Sequence, residues 1–202
     1  MSISDEHSTR VGTLMRQMCL LIGVDYDPDV VQRCGELHDI GKVHIPREIL
    51  NSPRRLTEKE FLVVQSHVIL GRDMLLAQGH CPSSPEVIVA YLHHEKWDGT
   101  GYPCGLAGEE IPIIARAAAL CDVLDALLSP RAYKKELSLT SAISIIKEGK
   151  GTHFDPFLTE VFLENVRGFA MVRNGLNLPE IKAEIPENKI DQSISRHRRP
   201  DF

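Results

Sequence analysis

Apolar residues recur along most of this chain at spacings of three and four, the pattern of helices that bury one face. The first such run, Val11, Leu14, Met15, Met18, Leu21 and Ile22, stops at Gly23. Ser4, Asp5 and Glu6 supply its start, because a hydroxyl and two negative charges suit a helix N-terminus. Asp27-Pro28 opens a second helix with a cap and a proline, and Val30, Val31, Cys34 and Leu37 form its apolar face. After a turn-rich segment bracketed by Ile45-Pro46 and Asn51-Ser52-Pro53, the run from Thr57 to Glu60 reads as a capping box. It predicts one helix through Phe61, Val64, Val68, Met74 and Leu75, with His67 inside it. Ser84-Pro85 starts another, from Val87 to Leu92.

The stretch HHEKWDGTGYPCGLAGEEIP then carries Gly99, Gly101, Gly105 and Gly108, which predict a loop rather than an element. Pro112 opens the most apolar helix of the chain, IIARAAALCDVLDALL. Ser138 or Thr140 caps a shorter helix through Ile143, Ile145 and Ile146, and Asp155-Pro156 caps one from Phe157 to Val166. Beyond Gly168 the periodicity fades, and a basic cluster at Arg196, Arg198 and Arg199 lies among scattered prolines. No strand alternation or internal repeat interrupts the series. The expectation is an all-α domain over residues 1–170 and a loosely held tail over 171–202.

Composition narrows the partners. A chain of 202 residues, 43% hydrophobic, can bury one sizeable core. Its formal net charge of −5 argues against a general nucleic-acid binder, which needs a basic field. There is no run of about 18 apolar residues, and the N-terminus is polar, so neither a membrane span nor a signal peptide is expected. Of five cysteines none is in a C-x-x-C pair, and Cys19, Cys34 and Cys121 fall in apolar helical patterns. Buried free thiols in a reducing cytoplasm are the expectation.

Candidate chemistry concentrates at Glu36-Leu37-His38-Asp39-Ile40-Gly41-Lys42, where an apolar helix ends on a histidine and an aspartate. Neighbouring helical residues point about 100° apart, so both can face one site only at the helix's C-terminal rim. An imidazole and a carboxylate there suit a metal, since a carboxylate can bridge two ions. Lys42, a turn beyond, can direct its charge at a bound anion. Single histidines in helices are ordinarily surface or satisfied core residues. Five resist that reading as a set: His38, the consecutive pair His93 and His94 ahead of the glycine loop, and His67 and His7 on two further helices. His44, His80, His153 and His197 carry no such signal. Asp122 lies among Ala118, Ala119, Leu120, Cys121, Val123 and Leu124, where an unpaired carboxylate is costly. Either Arg116 or a metal must compensate it; the six-residue separation from Arg116 is a poor match for helical ion pairs, which favours the metal.

The pattern H…HD…H…HH…D, with HDIGK, HHEKWDGTGYP and CDVLDALLSPRAYKK, resembles the HD-GYP domains, a branch of the HD metal-dependent phosphohydrolases. The resemblance runs over roughly residues 4 to 168. It implies a helical core of about five helices with added helices and a Gly-rich GYP loop. It also implies hydrolysis of cyclic di-GMP to the linear dinucleotide pGpG, sometimes on to GMP, by in-line attack of a metal-bridging hydroxide. By this resemblance His7, His38, Asp39 and Asp122 hold one ion, and Asp39 bridges to a second held by His67, His93 and His94. Iron or manganese is implied for the two divalent ions. Some members bind a third through a glutamate at a position where this chain has Ile3, so two are expected. Asp39 and Lys42 are implied as catalytic, and Lys42, Tyr102, Arg131 and Lys134 as the substrate-facing set; Asp125, one turn after Asp122, is grouped with the substrate-binding residues as one that positions Lys134 or a metal-bound water. The GYP loop is implied to meet cyclase (GGDEF-type) domains. Other members carry a sensory or receiver domain ahead of the first ligand, whereas His7 stands six residues from the start. Two other activities stay open: a cyclic-dinucleotide or cyclase-binding module without catalysis, and hydrolysis of a hybrid such as cyclic GMP-AMP.

Overall fold

The computed structural model describes residues 6–129 and 136–175. The expected cap at Ser4 and the tail from 176 onward lie outside them. Helix α1 (Glu6–Ile22) ends where Gly23 takes a φ of 67°. Asp27 caps α2 (Pro28–Leu37), its carboxylate accepting from the Asp29 and Val30 amides. The two helices cross where Gly12 meets Gly35. A Cβ on Gly35 would stand 2.3 Å from the Gly12 backbone, so only a bare α-carbon permits this approach.

Helix α1 is the hub. Val11, Leu14, Met15 and Met18 have no exposure and form one cluster with Cys34 of α2 and with residues from the later helices. Those helices are α7 (Ile113–Leu128), α8 (Leu139–Glu148), α9 (Pro156–Glu164) and α10 (Val166–Arg173), the last contributing the buried Phe169. Ser138, not Thr140, caps α8 by accepting from the Ser141 amide. A smaller cluster of Ile40, Leu75, Val87 and Ala90 joins the 3-10 segment Ile40–His44 to α5 (His67–Ala77) and α6 (Pro85–Leu92). A short α3 (Arg47–Leu50) lies in the turn-rich segment. The described residues contain no strand, only isolated bridges such as Asp98 to Ala107. The all-α expectation holds.

Three expectations change. The helix predicted from Thr57 through Leu75 is two: α4 (Glu58–Gln65), with its capping box in place, and α5, divided at Ser66. There the Ser66 amide is shared between the Leu62 and Val63 carbonyls and its hydroxyl donates to the Val63 carbonyl at 2.7 Å, drawing the chain into a tighter turn. The division leaves α4 without a buried residue, so Phe61, Leu62 and Val63 are exposed. The helix expected over Phe157 to Val166 likewise ends at Glu164, and Asn165 separates it from α10. Finally, α10 runs three residues past the boundary expected at 170, and its terminal Arg173 reaches into the functional site.

Candidate metal centre

A helix leaves its last carbonyls without intrahelical donors. Three histidines of this chain turn Nδ1 onto a carbonyl of such a last turn, His93 sharing the Val89 carbonyl with its own amide. His38 caps α2 and its Nδ1 donates to the Gly35 carbonyl at 2.6 Å. His67, just past α4, donates from Nδ1 to the Val64 carbonyl at 2.7 Å, and His93, capping α6, to the Val89 carbonyl at 2.9 Å. A carbonyl oxygen only accepts, so Nδ1 holds a proton in each ring and Nε2 of the neutral ring presents its lone pair. His7, in the first turn of α1, does the equivalent with a carboxylate, its Nδ1 lying 2.7 Å from Asp125 Oδ2.

These Nε2 atoms converge on Asp39, the residue that turns α2 into the 3-10 segment. Asp39 Oδ1 lies 3.2 Å from His67 Nε2 and 3.8 Å from His93 Nε2; its Oδ2 lies 3.1 Å from His38 Nε2. Candidate ligand atoms of Asp39, His67, His93 and His94 stand within 4.8 Å of one another, and so do those of His7, His38 and Asp39. Asp122, on α7, completes the second group, with Oδ1 3.1 Å from His7 Nε2 and 3.9 Å from His38 Nε2. All seven candidate ligands are brought together, from α1, the end of α2, the turn after it, α5, the end of α6 and α7. One carboxylate faces both groups.

Two buried atoms in this cluster, His38 Nε2 and Asp39 Oδ1, make no hydrogen bond. Leaving polar atoms so is costly unless something else engages them. Together with the outward-tied Nδ1 atoms, this fits divalent metal ions held by imidazole nitrogen and carboxylate oxygen.

The charges agree. Burial and the neighbouring His94 and His38 rings push His93 well below the usual histidine range, and burial takes His94 down to about 4, so both are neutral near pH 7. Burial also opposes ionisation of Asp39 and Asp122. His38 and Lys42 beside Asp39, and His7 and His38 beside Asp122, outweigh it and hold both carboxyls below their ordinary range. Burial works against a charge on His7 as well, but Asp122 and Asp125 outweigh it and lift the ring to about 9. Lys42, one 3-10 turn past Asp39, pairs with Asp39 Oδ2 while keeping 40% of its side chain exposed.

A cavity of about 540 Å³ opens beside the cluster, with His93, His94 and Asp122 in its lining and Phe61, Lys96, Tyr102 and His153 among its walls. Tyr102 stacks on His94 at 4.8 Å, and Phe61 meets Tyr102 edge-on at 6.5 Å. The loop carrying Tyr102 is anchored by Glu95, which is 2% exposed and accepts from the Cys104, Gly105 and Leu106 amides at 2.6, 3.2 and 3.1 Å.

Asp125, Arg116, Arg131 and Lys134 complete the set singled out in the sequence. Asp125 does not face a substrate: it has no exposed surface, and its oxygens are taken by His7, Arg10, Ser129 and Arg173. Arg116 pairs with Asp155, the cap of α9, in line with its poor spacing from Asp122, whose neighbours are His7 and His38. Arg131 and Lys134 lie outside the described residues. Arg10 and Arg173, which reach the site through Asp125, were not anticipated, nor were Glu95 and His153. Glu95 was legible only as an acidic residue behind the histidine pair. His153 has no local signal, and reaches the cavity because the backbone around it bonds to Trp97 and Asp98.

Comparison with known proteins agrees with this arrangement. The sequence profile of the HD domain matches residues 2–158. The chain is 46% identical over 140 residues to a cyclic di-GMP phosphodiesterase of Vibrio cholerae, covering 67% of this chain and 28% of that protein. It is 36% identical over 171 residues to the 3'3'-cGAMP-specific phosphodiesterase 2 of the same organism, covering 84% and 33%. The chain thus spans about a third of the length of the curated relatives it matches. Among solved structures, an HDG"Y"P protein of Bdellovibrio bacteriovorus aligns with a TM-score of 0.61 at 19% identity over 80% of this chain and 52% of the other. The crystal structure of a cyclic GMP-AMP-specific phosphodiesterase of Vibrio cholerae aligns with a TM-score of 0.59 at 18% identity, over 83% and 45%. At these identities the two structures speak for the fold.

Proposed function

This chain belongs to the HD domain family, and from that membership and its ligand geometry we propose that it is a metal-dependent phosphodiesterase. It opens cyclic di-GMP to the linear dinucleotide pGpG, with onward cleavage to GMP as a further step. The observation that carries this reading is Asp39: one carboxylate faces two clusters of imidazoles whose Nδ1 protons are already committed.

His7, His38, Asp39 and Asp122 would hold one ion, and Asp39, His67, His93 and His94 the other. The mixed nitrogen and oxygen donors, with no thiolate among them, suit iron or manganese. When bound, such ions supply charge for the phosphoryl oxygens and lower the pKa of a water that attacks phosphorus. The chain does the rest. Lys42 leaves its pairing with Asp39 to meet the phosphoryl group as negative charge grows there. Tyr102 and Phe61 offer ring faces to a base, and the cavity is of the size that takes a small ligand. Arg131 and Lys134 would contact phosphate. The exposed Cys104, Gly105 and Ala107 of the glycine loop are the surface offered to a cyclase domain. Reduced, unpaired Cys19, Cys34 and Cys121 suit a cytoplasmic setting.

Relatives named for 3'3'-cGAMP favour a second reading, in which cyclic GMP-AMP is the substrate of the same centre. Protein reconstituted with Mn²⁺ or Fe²⁺ is incubated with each cyclic dinucleotide, and products are separated chromatographically. Turnover is expected in the wild type and is absent, with the metal, in the His38→Ala plus Asp39→Ala variant. Hydrolysis retained by the double variant rejects the proposal; metal-replete wild type giving no product favours a binding module instead.

A further inference from the structure

The ring of His7 is gripped at both nitrogens by two carboxylates one turn apart on α7. Nε2 lies 3.1 Å from Asp122 Oδ1 and Nδ1 lies 2.7 Å from Asp125 Oδ2. Asp122 faces the metal centre, whereas Asp125 is wholly buried behind it and takes donors from two further helices. Arg10, on α1, donates from Nε to Asp125 Oδ1 at 2.8 Å and from Nη2 to Oδ2 at 3.1 Å. Arg173, at the end of α10, donates from Nε to the same Oδ1 at 2.7 Å. Ser129 ties the set together: its hydroxyl donates to Asp125 Oδ2 at 3.1 Å and accepts from Arg10 and Arg173 at 3.0 and 2.9 Å.

We infer that Arg173 is a positioning residue for His7. Through Asp125 it makes α10 part of the device that sets one of the two metal sites. A carboxylate with no exposure must be compensated and can rotate only if its donors let it. Arg10 spans both oxygens and Ser129 holds Oδ2; Arg173, arriving from another helix on Oδ1, completes the donor set that fixes the tilt. The tilt aims Oδ2 at Nδ1, which keeps a proton on that nitrogen and points Nε2 at Asp122, where a bound ion would replace its proton. Arg173 is not needed to dock α10, because Phe169 is buried against Phe162 with ring centroids 5.3 Å apart.

The inference rests on the two-ion reading above, and the test separates the two. Mn²⁺ is titrated into metal-free wild type, Arg173→Met and Arg173→Lys, with stoichiometry read by elemental analysis and melting temperature recorded without metal. Wild type is expected to take two ions. Arg173→Met is expected to keep one ion at wild-type affinity and bind the other about 10-fold more weakly, with a lower metal-free melting point because the buried Asp125 loses a charge partner. Arg173→Lys, which restores charge without the planar fork, is expected to fall between. A structural role alone would weaken both ions together, and that result overturns the inference. Two ions at wild-type affinity in Arg173→Met overturn it too. If Arg173→Met does not fold, unweakened binding by Arg173→Lys does the same. Wild type that takes no metal sinks the functional reading and this inference with it.

Discussion

Gly41→Ala should dismantle the metal centre without touching a ligand. Gly41 lies two residues past Asp39, in the 3-10 segment that presses on the start of α5. A Cβ there would stand 2.0 Å from the carbonyl oxygen of His67 and 2.5 Å from the Gly71 amide nitrogen. Both are backbone atoms, so no rotamer change relieves the clash. Ordinary contact begins at 3.4 Å, so the segment and α5 must separate by about 1.4 Å. The chain that moves on one side carries Asp39, and on the other His67, now 3.2 Å apart at Oδ1 and Nε2. Coordination tolerates deviations of only about 0.2 Å, so the displacement is several times what a shared ion survives. Overpacking of this kind also costs about 1–3 kcal/mol of stability, or roughly 2–4 °C of melting temperature per kcal/mol for a domain this size. The assay is metal content per folded chain, alongside the metal-free melting curve. The ion bound by His67, His93 and His94 should be lost, and with it turnover. Gly71→Ala is the control, since its nearest contacts are 3.3 Å and one is the Ile40 side chain, so it should keep both ions. Gly41→Ala that loads two ions at wild-type affinity would refute the reasoning.

In the metal-free protein His7 titrates near 9 against 6.5 when unfolded, so its pairing stabilises the fold fully below pH 6.5 and is lost as pH rises through 9. The melting-point gap between wild type and His7→Gln should therefore close over that window, from a maximum on the order of 3 kcal/mol; a gap constant from pH 6 to 9.5 contradicts it. Metal affinity should move the opposite way and rise with pH to about 9, because the ion displaces the His7 proton, as calorimetry in buffers of different ionisation enthalpy would show. Lys42→Met should keep both ions and lower kcat about 100-fold; loss of metal instead would make Lys42 a structural partner of Asp39. Glu95→Ala leaves three loop amides without their acceptor, and should raise KM and cost about 1–3 kcal/mol while metal content holds. Unchanged KM would detach the loop from substrate binding.

The residues of this chain spell out most of its helices, because caps and apolar spacing act over a single turn. Asp27, Thr57, Ser138 and Asp155 cap as their local sequence says. The placement of His38 and His93 at helix ends was legible for the same reason, and so was the glycine loop. The HD and GYP motifs added the ligand set. What the chain in one dimension could not carry is which groups meet across it. Asp125 is 115 residues from Arg10 and 48 from Arg173, and no periodicity links them. Packing alone supplied the partners that bury it against His7. Packing likewise brought His153 to the cavity wall and made Gly41 a contact between backbones. A buried charge finds its partners only once the helices have docked, since desolvation is what makes those partners necessary.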